Sequence, residues 1–273
     1  MIIDGHAHAS AEFADPKKLN EIMEELKVDK VVLCPGRGDD PNYEPLRPKV
    51  RQSLLVTNHR ILFLSNRLLR RWSKDVTDRD SGNEYIFKLK KEMTGKIIQF
   101  FWVNFLNEKF YSQMTEAYKR MKYEGIKLHQ AVVPFDNESE ELEQVVKFAG
   151  ENSLPIFIHI FSSKEANKLI KLARRFPNTN FIIAHLMGLE NVIKHGKDLS
   201  NFYFDISTYF IISERRIKKA IKYFGADHVF LGSDTPMGYD NLKNNLEKIQ
   251  NMDLTSEDKE LILGKGIAKL LRL

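Results

Sequence analysis

Met1-Ile2-Ile3-Asp4-Gly5-His6-Ala7-His8-Ala9 opens the chain. Ile2 and Ile3 give a short apolar start, and two histidines then stand one residue apart. Along a β-strand successive side chains point to opposite faces, so His6 and His8 share one face. Two neutral imidazoles side by side at a strand end can hold a transition metal between them. The plainer alternative is two polar residues in an N-terminal arm. What decides between them is recurrence, because the same form, an apolar run ending in an ionisable residue, returns along the chain.

Working outward, Asp15-Pro16 has the form of a helix cap followed by proline at the first helical position. Leu19, Ile22, Met23 and Leu26 follow at helical spacing. Lys30–Cys34 is a β-branched run closed by Pro35-Gly36, a second strand. Further strands are predicted at Lys96–Asn104, Gly125–His129, Pro155–His159, Phe181–His185, Phe202–Ser207 and His228–Asp234. Helices are predicted around Phe110–Met121, Leu142–Ala149, from Ser162 or Ser163 to Phe176, around Ile217–Ile221, and from Thr255 or Ser256 to Leu271.

Parallel strands require crossovers of this kind, and strands buried on both faces read as near-continuous apolar runs. Eight of them in 273 residues predict an α/β fold, a (β/α)8 TIM barrel, with residues 1–273 as one domain. An open doubly wound sheet is the rival, but no glycine-rich phosphate turn follows the first strand.

Residues 36–95 break the alternation and are read as a helical insertion, or lid, after strand two. A turn-rich piece with Pro41, Pro45 and Pro48 leads to a helix carrying Leu54, Leu55, Ile61, Leu62, Leu68, Leu69 and Trp72. Between 47 and 74 there is no acidic residue, against Arg47, Lys49, Arg51, Arg60, Arg67, Arg70, Arg71 and Lys74. One reading is a lid whose arginines draw in an anionic substrate. The plainer one is an amphipathic helix packed on the barrel or on a second copy in a homodimer.

The composition excludes several classes. Hydrophobic residues are 42% and charged residues 29%, as in a globular protein with a large core. No apolar run is long enough for a membrane span and no signal peptide is visible, so a cytoplasmic protein is expected. The single cysteine, Cys34, ends an apolar run and reads as a buried structural thiol. A net charge of +5 favours anionic partners. Nucleic acid is not expected, since no recognised binding motif accompanies the charge.

Of eight histidines, His6, His8, His129, His159 and His185 fall at strand ends, and Asp234 ends strand eight. In a barrel those ends surround one opening, the face on which barrel enzymes carry their active sites. His59, His195 and His228 lie elsewhere and read as surface or packing residues.

Here the chain resembles the amidohydrolase superfamily, in its amidohydrolase-2 branch of TIM-barrel metal-dependent hydrolases and aminocarboxymuconate-semialdehyde decarboxylase-like enzymes. The matching pieces are Asp4-Gly5-His6-Ala7-His8, Gly125-Ile126-Lys127-Leu128-His129, His159, Ala184-His185-Leu186-Met187-Gly188, Tyr203-Phe204-Asp205-Ile206-Ser207 and Gly232-Ser233-Asp234-Thr235-Pro236. They span nearly the whole barrel, with the insertion outside them. The resemblance implies that His6, His8, His159 and Asp234 bind one divalent metal, zinc being the expected ion. It further implies that Asp234 takes a proton from a metal-activated water and that His185 is the general acid/base. In binuclear members a strand-four lysine is carboxylated and bridges two metals, so two ions are expected only if Lys127 is modified in that way. Otherwise Lys127 and His129 are placed to bind substrate or support the ligands, and Asp205 is a supporting carboxylate.

The function implied is hydrolysis of an amide, lactone or ester carbonyl of a small, carboxylate-bearing molecule. The first alternative is a non-oxidative decarboxylase using the same ligands, and the second is a non-catalytic binding or assembly module.

Overall fold

The computed structural model of the chain describes residues 1–36, 53, 57–58, 61–64, 66, 68, 80–235 and 240–273. Eight parallel strands follow one another around a nearly closed barrel in chain order. They are β1 (Ile3–Ala9), β2 (Lys30–Pro35), β3 (Ile97–Trp102), β4 (Gly125–His129), β5 (Ile156–His159), β6 (Phe181–Ile183), β7 (Phe202–Asp205) and β8 (Val229–Phe230). The helices between them are α1 (Pro16–Leu26), α2 (Asp80–Glu92), α3 (Phe110–Met121), α4 (Glu140–Glu151), α5 (Ser163–Arg175), α6 (Leu189–His195) and α7 (Glu214–Phe224). Three more, α8 (Asp240–Asn251), α9 (Ser256–Glu260) and α10 (Gly266–Leu271), end the chain.

Alternation within each apolar run builds two cores. Val32 and Cys34 of β2 cluster with Ile98, Phe100, Phe157 and Phe230 in the barrel interior. Val31 and Leu33 instead pack outward with Leu19, Met23, Ile86 and Leu89 of α1 and α2. The larger outer core joins Ile126, Leu128, Ile156, Ile158 and Phe204 to Leu142, Val145, Leu169 and Ile217. Each such buried side chain contributes about 1.5–3 kcal/mol, which is why the strands are mainly apolar, with Asp4, Gln99 and Lys127 as buried polar exceptions within them. Ile267 and Ala268 of α10 close the opposite end of the barrel against Ile3 and Phe230.

The helix starts follow local chemistry. The Asp15 carboxylate accepts from the backbone N–H of Lys17 (2.9 Å) and Lys18 (3.1 Å), with Pro16 at the first position. Ser162 caps α5 and Thr255 caps α9. Such caps are worth about 1 kcal/mol each.

Several expectations need correction. Strands six and eight are shorter than the apolar runs suggest: β6 stops just before the left-handed turn at His185 (φ 55°), and β8 stops at Phe230, four residues before the left-handed Asp234 (φ 59°). The helices α6 and α8 do not stand out as apolar runs. The expected single closing helix is two, bent around Leu261–Lys265, where the first residues of the chain press close: a Cβ at Gly264 would meet the Met1 carbonyl at 2.5 Å.

Of the stretch read as an insertion, 36–95, the last part is instead α2, Asp80–Glu92, the regular crossover helix between β2 and β3. Its Ile86 and Leu89 pack on Val31, Leu33 and Ile97. Before it, residues 61–64, 66 and 68 are helical. Leu62 is buried in the outer core, and the Asn66 amide donates to the carbonyls of Ile160 (3.0 Å) and Phe161 (2.9 Å), just past β5. The basic residues from Arg47 to Lys74, together with Leu54, Leu55, Leu69, Trp72, His59 and Pro236, lie outside the described residues. Among the described residues, no helix is long and apolar enough to cross a membrane.

The barrel closes where β1 meets residues 231–235. Gly5 N–H donates to the Leu231 carbonyl (2.9 Å), His8 N–H to Thr235 (2.8 Å), and the N–H groups of Ser233 and Asp234 to His6 (3.0 and 2.7 Å). Only Ala7 and Thr235 are paired there as strand residues. This seam carries the site.

Candidate active site

His6 and His8 leave β1 on the same face, as their spacing requires. One ligand atom from each of His6, His8 and Asp234 lies within 4.8 Å of the others. Asp234 Oδ1 is 3.5 Å from His6 Nε2 and 3.6 Å from His8 Nε2. Donors about 2.0–2.1 Å from a tetrahedral ion stand about 3.4 Å apart, so these separations suit a shared metal.

The outer nitrogens decide which way each imidazole presents its lone pair. His8 Nδ1 donates to the Pro35 carbonyl (2.8 Å), and a carbonyl only accepts, so Nε2 is bare. His6 Nδ1 lies 3.0 Å from Ser207 Oγ and 3.3 Å from Asp205 Oδ2. The Ser207 hydroxyl gives its own proton to Asp205 and can only accept from the ring. Oxygen partners on the far nitrogen are the usual way in which ligating histidines are oriented. Burial, with the Lys127 charge behind it, also holds His6 well below its ordinary pKa, which keeps Nε2 unprotonated.

His185 faces the same point. Its Nδ1 is 3.2 Å from the Ser207 carbonyl and 3.0 Å from Ser207 Oγ, and its Nε2 is 3.8 Å from Asp234 Oδ2. Asp205 also accepts from the His185 backbone N–H (3.2 Å), which ties the left-handed turn at His185 to β7. Burial raises the Asp205 carboxyl, and the nearby His185 offsets part of that.

His159 is brought near but not into the three-residue cluster. Its ring is 5.1 Å from that of His185 and stacks on His129 at 3.9 Å. It is buried with Nδ1 lacking a hydrogen-bond partner, and burial lowers its pKa well below the ordinary value. A buried imidazole nitrogen without a partner is costly unless something binds it, and a metal ion would. The donors present thus fit a divalent ion, with His159 the remaining candidate ligand.

Lys127 is fully buried and shares a face with His129, as strand parity predicts. Its Nζ is 2.9 Å from His6 Nε2 and 4.1 Å from the centre of the Phe157 ring. It therefore lies directly at the cluster, whereas His129 sits one ring further out, 6.1 Å from Trp102.

Several polar residues here are not apparent as site residues from sequence. Asp4 is wholly buried beneath the cluster and accepts from the hydroxyl (2.7 Å) and N–H (2.9 Å) of Ser233. Burial pushes its carboxyl up to about 7. Ser207 joins His6, His185 and Asp205, and Thr208 Oγ1 donates to Asp234 Oδ2 (2.9 Å). Ser207 and Thr208 lie two and three residues past the end of β7, in the kind of post-strand segment that also carries His185 and Asp234, and that position was their one visible signal. The remaining histidines are peripheral: His195 is exposed in α6, and His228 stacks on Tyr203 at 4.4 Å. Cys34 is buried in the interior core.

The family model described as amidohydrolase, of the amidohydrolase-2 type, matches residues 69–273. No curated protein matches the chain. Among solved structures, 2,6-dihydroxybenzoate decarboxylase from Rhizobium is similar at a TM-score of 0.70 and 10% identity, over 99% of this chain and 98% of that one. A dihydroxybenzoic acid decarboxylase from Polaromonas, with manganese bound, is similar at a TM-score of 0.70 and 12% identity, over 100% and 97%. The 4-oxalomesaconate hydratase from Rhodopseudomonas palustris is similar at a TM-score of 0.64 and 14% identity, over 100% and 96%. At these identities the likeness is one of fold.

Proposed function

Since the chain belongs to the amidohydrolase family, of the amidohydrolase-2 type, we propose that it is a divalent-metal-dependent hydrolase of a small carboxylate-bearing molecule. The observation that carries this reading is the convergence of His6 Nε2, His8 Nε2 and Asp234 Oδ1, with His185 Nε2 facing the second oxygen of Asp234. His6, His8, His159 and Asp234 would hold the ion, and imidazoles with one carboxylate suit zinc. A bound divalent ion supplies Lewis-acid polarisation of a carbonyl and lowers the pKa of water.

The protein's own groups supply the proton handling. Asp234 presents Oδ2 toward His185 and can take a proton from the attacking water. His185 holds its own proton on Nδ1 against Ser207, leaving Nε2 to accept a proton and return it to the leaving group. Lys127 and His129 line the interior beside this pair, and a buried ammonium attracts a substrate carboxylate.

Decarboxylation is the second reading. It draws on the two decarboxylases among the similar folds, and on the manganese bound in one of them, which also makes manganese the alternative ion. The same histidines and Asp234 would serve: the carbon–carboxylate bond breaks, carbon dioxide leaves, and a protonated group at Asp234 or His185 gives its proton to the carbon that keeps the electron pair.

The test is product analysis on protein loaded with zinc or manganese. Esters, lactones and amides of dicarboxylic acids are compared with hydroxybenzoates, reading acid release against carbon dioxide release. Acid without carbon dioxide supports hydrolysis, and carbon dioxide supports the second reading. Turnover of neither by metal-loaded protein favours the binding module. On whichever substrate is turned over, His185→Asn is expected to lower kcat by about 10²–10⁴-fold, with metal content unchanged.

A further inference from the structure

Asp234 uses its two oxygens differently. Oδ1 lies between the histidines, while Oδ2 accepts the Thr208 hydroxyl at 2.9 Å. Thr208 is 1% exposed, and its backbone, like that of Asp234, is left-handed (φ 62° and 59°). Non-glycine residues adopt that conformation at a cost, so surrounding contacts must impose it.

Those contacts come from one face of α8. The Asn245 amide donates to the Gly232 carbonyl (2.9 Å) and reaches the Ile206 carbonyl (3.4 Å), two residues before Asp234 and two before Thr208. One turn on, Lys248 donates to the carbonyls of Tyr209 and Ile212, both at 2.8 Å, just after Thr208. Both segments are thus pinned to a common helix, and the hydroxyl meets the carboxylate as a consequence.

We propose that Thr208 is a positioning residue that keeps Asp234 monodentate, its hydroxyl holding Oδ2 so that a bound ion takes Oδ1 alone and one coordination position stays open. This rests on the metal-site reading above. A carboxylate with both oxygens unheld can close on an ion bidentately and fill the position that water or substrate needs. A hydroxyl donating to Oδ2 engages the lone pairs that bidentate binding would need.

The test uses cobalt(II) as the probe ion in wild type, Thr208→Val, Thr208→Ala and Thr208→Ser, with folding followed by circular dichroism. Visible ligand-field bands are intense for four-coordinate cobalt and weaken as coordination number rises. Per bound ion, the band is expected to fall at least about two-fold in the valine and alanine variants and to recover in the serine variant. Unchanged band intensity in a folded valine or alanine variant that binds cobalt overturns the proposal, as does a variant whose only defect is weaker binding. Should neither variant fold, X-ray absorption on wild type decides: four to five light-atom ligands support it, and a bidentate carboxylate overturns it. If wild type binds no cobalt, the metal-site reading itself fails, which is a separate outcome.

Discussion

Gly232 is the residue at which the site has no spare room. A Cβ there would overlap Asp205 Oδ1 and stand 3.0 Å from the His6 Cβ and 3.1 Å from the Ser207 Cβ. Gly232→Ala must therefore displace Asp205, which holds Ser207 and is itself one of the two oxygen partners of His6 Nδ1, so the ring loses part of what orients it. Overpacking of this kind costs about 1–3 kcal/mol, and metal content should fall together with the melting temperature. Elemental analysis beside calorimetry checks it, and full metal content in the variant would refute this role for Asp205. Cys34 offers a second reading at this scale. Burial pushes its thiol up to about 12, so at neutral pH almost none is thiolate, and only the thiolate attacks. A disulfide reagent should find no thiol in the native protein and one per chain in denaturant. Prompt native labelling would show that the interior opens more readily than its packing implies.

At the scale of elements, α8 shows where sequence legibility ends. Its buried face holds Leu242, Leu246 and Ile249, but also Asn241, Asn245 and Lys248, so the apolar stripe that marks a helix is diluted. Asn245 and Lys248 are inside because they satisfy carbonyls past the ends of β7 and β8, and a hydrogen bond between distant segments leaves no periodic trace. The strands were legible for the opposite reason: burial on two faces makes a continuous apolar run, and the ionisable residue ending each run stands out. The candidate ligands His6, His8, His159 and Asp234 were therefore visible, while Asp4, Ser207 and Thr208, which pack and hydrogen-bond around them, were not. Lys248 makes the cost of this arrangement measurable. Burial pulls its amine down to about 8, against the pull of Glu214, whereas the unfolded value is 10.5. Between those limits the unfolded chain holds more protons than the folded one, so this group's contribution to stability rises with pH from about 8 to 10.5. Below that window the folded protein bears the full penalty of a buried ammonium. Denaturation midpoints of wild type minus Lys248→Met should rise across the window, and a flat or falling difference would mean that the amine is solvated.

For the molecule as a whole, the barrel and the site share one weak line. From β1 to β8 every neighbouring pair of strands is joined by a ladder, but β8 returns to β1 through the single strand pair Ala7–Thr235 and a few backbone hydrogen bonds. His6 and His8 stand on one side of that line and Asp234 on the other. An ion held by all three would tie the first strand to the last and act as the missing rung. Stabilisation by a ligand that binds only the folded state is about 2.7 kcal/mol at a hundred times its Kd, so metal loading should raise the melting temperature by about 5 °C. The location of that gain is the sharper expectation. Amide exchange at Gly5, His8, Ser233 and Asp234, the donors across the seam, should slow on loading with zinc. Exchange at Ile126 and Phe181, in ladders on the far side, should hardly change. The His6→Ala/His8→Ala protein should exchange fast at the seam with or without zinc. Uniform slowing around the barrel would mean that the ion stabilises the fold globally rather than by closing it, and no slowing with metal bound would mean that the seam is already as rigid as the ladders.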